Sequence, residues 1–377
     1  MDSLQPVRSA SLPHRLLLGP GPSNVDPRVL EAMSQPLVGH LDPHFLMLLD
    51  EIQECLRPLF GTTNRFTLPL SATGSAGMET CLVNLLEPGH RILVGVNGVF
   101  GGRMVEVATR AGAEVHTVKA NWGDPLDEQA MVEAIHRIQP EVVAFVHAET
   151  STGVHQPIPE ITQAAQAIGA FVVLDCVTSL SGAEVALDEW GIDAAYSGTQ
   201  KCLSCPPGLS PISFSERALD RVRTRSKPVQ SWYLDVSLLD GYYGGERVYH
   251  HTAPISALYG LSEALRLIEE EGLPARVLRH QQAGEALVEG VAPLGFIPLV
   301  SAPYRLPMLT TLRLPESLPP QEEAALRRRL LDRHNIEVGG GLGELAGKVW
   351  RVGLMGVNAR IESVDQLVGA LQAEMKS

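Results

Sequence analysis

From residue 91 onward, short apolar runs alternate with stretches whose apolar positions recur at helical spacing. The runs at 91–96, 114–118, 142–147, 171–174, 192–196 and 209–214 predict strands. The stretches at 99–112, 127–138 and 158–169 predict helices. Strands alternating with helices of this length build a mostly parallel sheet covered on both faces. Such sheets bind their ligands beyond the C-terminal strand ends. A second pattern begins near residue 262. It predicts helices at 262–271, 274–290, 320–333 and 364–375, and strands at 308–314 and 348–354. The chain therefore divides into an extended arm with a rigid loop (1–24), a large α/β domain (25–262) and a small α+β domain (263–377). Residues 1–15 are polar and extended, and Gly19-Pro20-Gly21-Pro22-Ser23-Asn24 is the turn-rich loop.

Composition narrows the function classes. The chain has 377 residues, 45% of them hydrophobic and 19% charged, which suffices for a large buried core. A formal net charge of −13 argues against nucleic acid or an anionic membrane as partner. No apolar run reaches the length of a membrane span, and residues 1–18 lack the apolar centre of a signal peptide. The C-terminal residues Met375-Lys376-Ser377 are not a Ser-Lys-Leu address. Five irregularly spaced cysteines suit a reducing compartment, and a cytoplasmic location is expected.

The strand at 192–196 leads into Ser197-Gly198-Thr199-Gln200-Lys201, and Pro206-Pro207-Gly208 prevents a long helix after the lysine. One βα unit earlier, Asp175 stands at the end of the strand at 171–174. This pair is what pyridoxal 5'-phosphate (PLP) chemistry needs. The lysine amine forms a Schiff base with the cofactor aldehyde, and the carboxylate keeps the pyridine nitrogen protonated. The plain alternatives are a solvated loop lysine and an aspartate that only caps a turn.

Three further motifs fit the same chemistry. Small residues from Ser71 through Thr73, Gly74 and Ser75 lead into an apolar-periodic segment, 78–86. A helix opening there would offer its free N–H groups to a phosphate, unless Thr73 or Ser75 merely caps it. Phe100 follows a strand and is flanked by glycines, so it is either a ring face for a flat heterocycle or a core aromatic. Arg351 lies among apolar residues in a strand and needs an anionic partner. A substrate carboxylate suits its fork, and a structural ion pair is the alternative.

Other signals fail. Cys202 and Cys205 form a lone C-x-x-C, without a second pair at zinc spacing and with Pro206-Pro207 behind it. Gly341 to Ala346 matches a relaxed dinucleotide fingerprint, but a strand follows it. Gly347-Lys348 lacks the upstream glycine of a P-loop. His250 and His251 are adjacent and would face apart on a strand. His40 and His44 have helical spacing, but Pro43 would break the helix between them. No metal site is expected.

With these residues in place, the chain resembles the alanine–glyoxylate (serine–pyruvate) aminotransferases, class V members of the fold-type I PLP enzymes. The matching segments are Leu18–Asn24, Glu149–Gly153, Tyr196–Lys201, Tyr249–Thr252 and Arg351–Leu354, and the likeness runs from about residue 16 to 372. The resemblance implies a large domain with a mostly parallel, seven-stranded sheet. It also implies a homodimer with active sites at the interface, small amino-acid and 2-oxo-acid substrates, and ping-pong transfer from L-alanine to glyoxylate. By resemblance Lys201 is the Schiff-base lysine and Asp175 the pyridinium partner. Thr73, Gly74 and Gln200 are phosphate ligands, and Tyr249 and Thr252 are phosphate ligands given to the other subunit. Ser75 and Val177 also belong to the cofactor site. Phe100 takes a ring-stacking position that is often Trp. Thr150 stands where Ser is common, near cofactor and substrate, and Ser75 where some relatives carry His. Gly21, Thr150 and Arg351 bind the substrate. Relatives with this motif set use serine, ureidoglycine or 3-hydroxykynurenine. A desulfurase-like lyase would need a cysteine in the small domain, whereas the last one is Cys205. A non-enzymatic scaffold would normally have lost the lysine.

Overall fold

The computed structural model describes residues 12–319 and 322–375. Residues 1–11, most of the expected arm, lie outside the described residues, as do the expected helix start at 320 and the terminal Lys376-Ser377.

Seven strands form the main sheet, in the order Phe66–Leu70, Ser210–Phe214, Ala194–Tyr196, Phe171–Asp175, Val142–Val146, Arg91–Val96 and Glu114–Lys119. Only Ser210–Phe214 runs antiparallel to its neighbours. The central strands are buried on both faces, as their nearly continuous apolar runs require. Register does the important work. Val146 pairs with Asp175, and Asp175 with Tyr196, so three adjacent parallel strands end level with one another.

The smaller sheet contains Ile336–Gly340, Val349–Gly353, Leu309–Arg313 and Ile297–Pro298. Its outer strand is Leu16–Leu18, from the far end of the chain, paired in parallel with Ile336 to Val338. Leu18 is fully buried there in a second core with Trp350 and Leu330. The helix Ile255–Glu271 starts seven residues earlier than its periodicity suggested, and it runs through the division expected at 262/263. Its buried face, including Leu258, Leu261 and Leu265, joins the larger core.

His40 and His44 share no helix, as expected, because Pro43 starts one, Pro43–Phe60, where its missing N–H is harmless. Asp42 caps that helix by accepting from His44 N–H. His250 and His251 lie in irregular chain rather than a strand, and their rings meet edge to face with Nδ1 atoms 2.8 Å apart. Among the described residues, no helix is long and apolar enough to cross a membrane.

Truncating Leu18 tests whether the N-terminal strand is anchored in the second core. Leu18→Ala should lower unfolding stability by about 2–5 kcal/mol in urea titrations, as for other buried leucines. A loss below about 0.5 kcal/mol, the size of a surface effect, would contradict it.

Candidate active site

The level strand ends open into a cavity of about 150 Å³. Asp175 lies at its floor, 3% exposed. One carboxylate oxygen accepts from Tyr196 Oη at 2.7 Å and the other from Val177 N–H at 2.8 Å. Burial pushes the carboxyl up to about 7 against those two bonds. Among the described residues it has no cation within ion-pair distance.

Lys201 reaches the same cavity from the turn after Tyr196. Burial pulls its amine down to about 8. Its Nζ donates to the carbonyl of Pro20, in the N-terminal loop. Gly21 must be glycine here. Its φ is +107°, and a Cβ would stand 2.5 Å from Lys201 Nζ. Ser23 fastens loop to turn: its N–H donates to Gln200 O at 2.9 Å and its hydroxyl to Lys201 O at 3.0 Å.

The helix Gly74–Leu85 begins at the cavity edge. Thr73, its N-cap residue, makes no side-chain capping bond, so the capping reading of this motif is not realised by that hydroxyl. Gly74 and Ser75 line the cavity, as do Phe100, Thr150, Val177 and Gln200. Arg351 is nearly buried in Val349–Gly353. Its Nε donates to Gly340 O at 2.8 Å and Nη1 to Thr150 O at 3.2 Å. No carboxylate of the described residues pairs with it, so the structural ion pair is not present.

Gly74, Ser75, Phe100, Thr150, Asp175, Val177, Gln200 and Lys201 thus line one cavity, with Thr73 preceding Gly74, Gly21 against Lys201 and Arg351 bonded to Thr150 but none of these three in the lining. Tyr249 and Thr252 stay apart from it. Tyr249 is 58% exposed, and its hydroxyl lies 3.4 Å from Thr252 Oγ1. Their segment is tied to Ser71 by His251, whose Nε2 is 2.7 Å from Ser71 Oγ, and packs on Tyr233, whose hydroxyl donates to Ser71 O at 2.9 Å. Cys202 and Cys205 are buried thiols pushed up to about 12, so neither is a thiolate at neutral pH.

Three contributors carried no assigned role in the sequence. Tyr196 orients Asp175, and aligning the two parallel strand ends would have found it. Glu149 is a buried acid whose four hydrogen bonds come from distant chain and from Ser151. Arg103 lines the cavity with its guanidinium carbon 5.0 Å from the Phe100 ring centre.

A parallel sheet with Asp and Lys at adjoining strand ends, joined to a small α+β domain, defines a fold-type I transferase. Residues 15–367 match the Aminotransferase class-V family. The chain is 40% identical over 375 residues to the alanine–glyoxylate aminotransferase of Drosophila melanogaster, covering 98% of this chain and 94% of the relative. It is 38% identical to the (S)-ureidoglycine–glyoxylate transaminase of Bacillus subtilis, covering 97% and 92%. The crystal structure of an alanine–glyoxylate aminotransferase from Nostoc sp. superposes with a TM-score of 0.95 at 49% identity, covering 99% of this chain and 98% of that one. The chain belongs to the class-V aminotransferases and is a transaminase.

The raised Asp175 carboxyl fixes a sign. In the ligand-free chain its stabilising proton is fully held below the ordinary 3.8 and lost as pH rises through about 7. The stability of wild type relative to Asp175→Asn should therefore fall across that window. Urea midpoints of both ligand-free proteins from about pH 4 to 8 check this. A pH-independent difference would refute it.

Proposed function

We propose that this cavity holds PLP and that the enzyme transfers the amino group of L-alanine to glyoxylate, giving pyruvate and glycine. The carrying observation is Asp175, a buried carboxylate with two hydrogen bonds and no cation, sharing a cavity with a buried lysine amine. A protonated pyridine nitrogen supplies the missing positive partner. The rest of the lining also fits the cofactor. Gln200 Oε1 is buried without a hydrogen-bond partner. Gly74 leaves space where a Cβ would stand 3.3 Å from Ser197 O and Val177 Cγ2. The uncapped helix start at Thr73 suits a phosphate.

When bound, the cofactor supplies an electron sink for the carbanion at the substrate Cα. The protein supplies the remainder. Asp175 keeps a proton on the ring nitrogen, and Tyr196 and Val177 keep Asp175 aimed. Phe100 offers its ring face. Lys201 would hold the cofactor through its amine. When free, its amine would take the substrate Cα proton and give it back as an acid. A value near 8 suits both directions. Arg351 has Nε and Nη1 steadied by backbone carbonyls, so the outer hydrogens of its fork remain for the substrate carboxylate.

The exposed Tyr249 and Thr252 support a homodimer in which each copy gives these hydroxyls to the phosphate of the other. Val248, next to Tyr249 in the chain, is exposed as well, as are Leu37 and Leu41 on the segment whose His40 ring lies 5.3 Å from that of Tyr249. The five free cysteines fit a reducing, cytoplasmic setting.

The alanine assignment follows the names of the fly and cyanobacterial relatives, and the Bacillus relative makes ureidoglycine the rival donor. A panel of L-alanine, L-serine, (S)-ureidoglycine and 3-hydroxykynurenine, with glyoxylate as acceptor, separates them. L-Alanine should give the highest kcat/KM. A higher value for another donor would reassign the substrate, and no turnover with any donor would refute the reading. Arg351→Lys should raise the KM for L-alanine roughly tenfold or more, since lysine keeps charge but loses the fork. Its affinity for PLP should stay within a few-fold. Equal losses for carboxylate-bearing donors and simple amines would contradict this role.

A further inference from the structure

The helix Val99–Arg110 carries Phe100 in its first turn, and its N-cap residue is Gly98, which has no side chain to cap with. Its first N–H groups are satisfied instead from a distant part of the chain. Val99 N–H donates to Ser151 Oγ at 2.9 Å and Phe100 N–H to Glu149 Oε2 at 3.0 Å; Gly101 N–H lies 3.4 Å from the same oxygen. Glu149 Oε1 accepts from Ser151 N–H at 3.0 Å and from Ser151 Oγ–H at 2.6 Å. The fit is close. A Cβ on Gly98 would stand 2.4 Å from Ser151 Oγ and 2.5 Å from the Glu149 carboxyl carbon.

Glu149 is fully buried, and among the described residues no cation lies within ion-pair distance of it. An unpaired buried carboxylate is costly, and its hydrogen-bonding compensation comes from the helix N-terminus on one oxygen and from Ser151 on the other. A local Ser or Asp before the helix would cap it without that cost. What the remote carboxylate adds is a link. Its strand, Ala148–Glu149, pairs with Val154–His155, and the base of this hairpin is closed by His147 and His155, whose Nε2 atoms are 2.9 Å apart. Next in the chain, Thr150 lines the cavity, and its carbonyl holds Arg351 Nη1. One hairpin therefore touches both the helix end that carries Phe100 and the guanidinium of Arg351.

We propose that Glu149 is a positioning residue for transamination. It locks the ring-stacking residue Phe100 and the carboxylate-binding Arg351 into one frame, so that cofactor plane and substrate carboxylate stay in register. This inference rests on the functional reading above. It predicts a paired defect that general destabilisation does not produce.

The test uses Glu149→Gln, in which one oxygen becomes an NH₂ that cannot accept from either Phe100 N–H or Ser151. Ser151→Ala is a milder second variant. Asp193→Asn is the control, a buried acid that accepts from Val172 N–H at 2.9 Å, at the other end of the strand from Asp175. Hydrogen exchange on the ligand-free proteins reads the brace directly. Amides of residues 99–101 should be protected in wild type and exchange faster in Glu149→Gln, less so in Ser151→Ala, and unchanged in Asp193→Asn. With PLP at saturation, Glu149→Gln should raise the KM for L-alanine roughly tenfold and change the visible circular dichroism of the bound cofactor, as for a displaced near-attack geometry. Asp193→Asn, even with an equal loss of Tm, should leave both within about twofold. Unchanged exchange at 99–101 in Glu149→Gln would overturn the proposal. So would equal effects on KM and dichroism in the Asp193→Asn control. A wild-type protein that binds no PLP and transaminates nothing would instead sink the functional reading, while the exchange result still decides whether Glu149 holds the helix.

Discussion

A carboxylate buried against a tyrosine hydroxyl needs positive compensation, and among the described residues Asp175 has no cation at ion-pair distance, only the weaker attraction of Lys201. The rest of the structure is arranged so that this deficit persists. The parallel register that sets Val146, Asp175 and Tyr196 side by side puts the acid at the end of a water-poor sheet. The same register directs the chain after Tyr196 into the turn that ends at Lys201. Burial moves the acid and the amine toward neutrality from opposite sides, to about 7 and about 8. Two such groups are a poor way to stabilise a protein and a good way to hold a cofactor that neutralises one and bonds the other.

The second sheet matters because it brings the chain's beginning to that lysine. Leu16–Leu18 joins the small core, and the loop after it then lies on the Lys201 turn through Pro20, Gly21 and Ser23. Beyond the lysine, Arg276 of the helix Leu273–Val291 donates to Cys202 O at 2.6 Å and pairs with Glu271 at 2.7 Å. The lysine turn is thus gripped from two directions by segments far away in sequence. The site consequently depends on the packing of both cores.

Much of this was legible because parallel sheets have loud signals. Continuous apolar runs placed the strands from residue 91 to 214, and strand-end position singled out Asp175 and Lys201. The weaker parts share physical causes. Phe66–Leu70 contains Pro69, which conceals a strand, and Leu16–Leu18 is too short to show alternation. Pro43 has one meaning inside a helix and another at its first position, and only the capping Asp42 tells them apart. Within the site, residues that line the cavity were readable from type and place. Residues acting through a neighbour, Tyr196 on Asp175 and Glu149 on Phe100, depend on pairings between segments that one-dimensional patterns do not report.

The account turns on one amine. The chain has five lysines, and Lys119, Lys227 and Lys348 are exposed, whereas Lys201 is buried beside Asp175. Borohydride reduction of the PLP-equilibrated protein, followed by peptide mass mapping, tests this directly. The account predicts one pyridoxyl phosphate mass per chain, on Lys201. A label spread over the exposed lysines, or absent from Lys201, would contradict it.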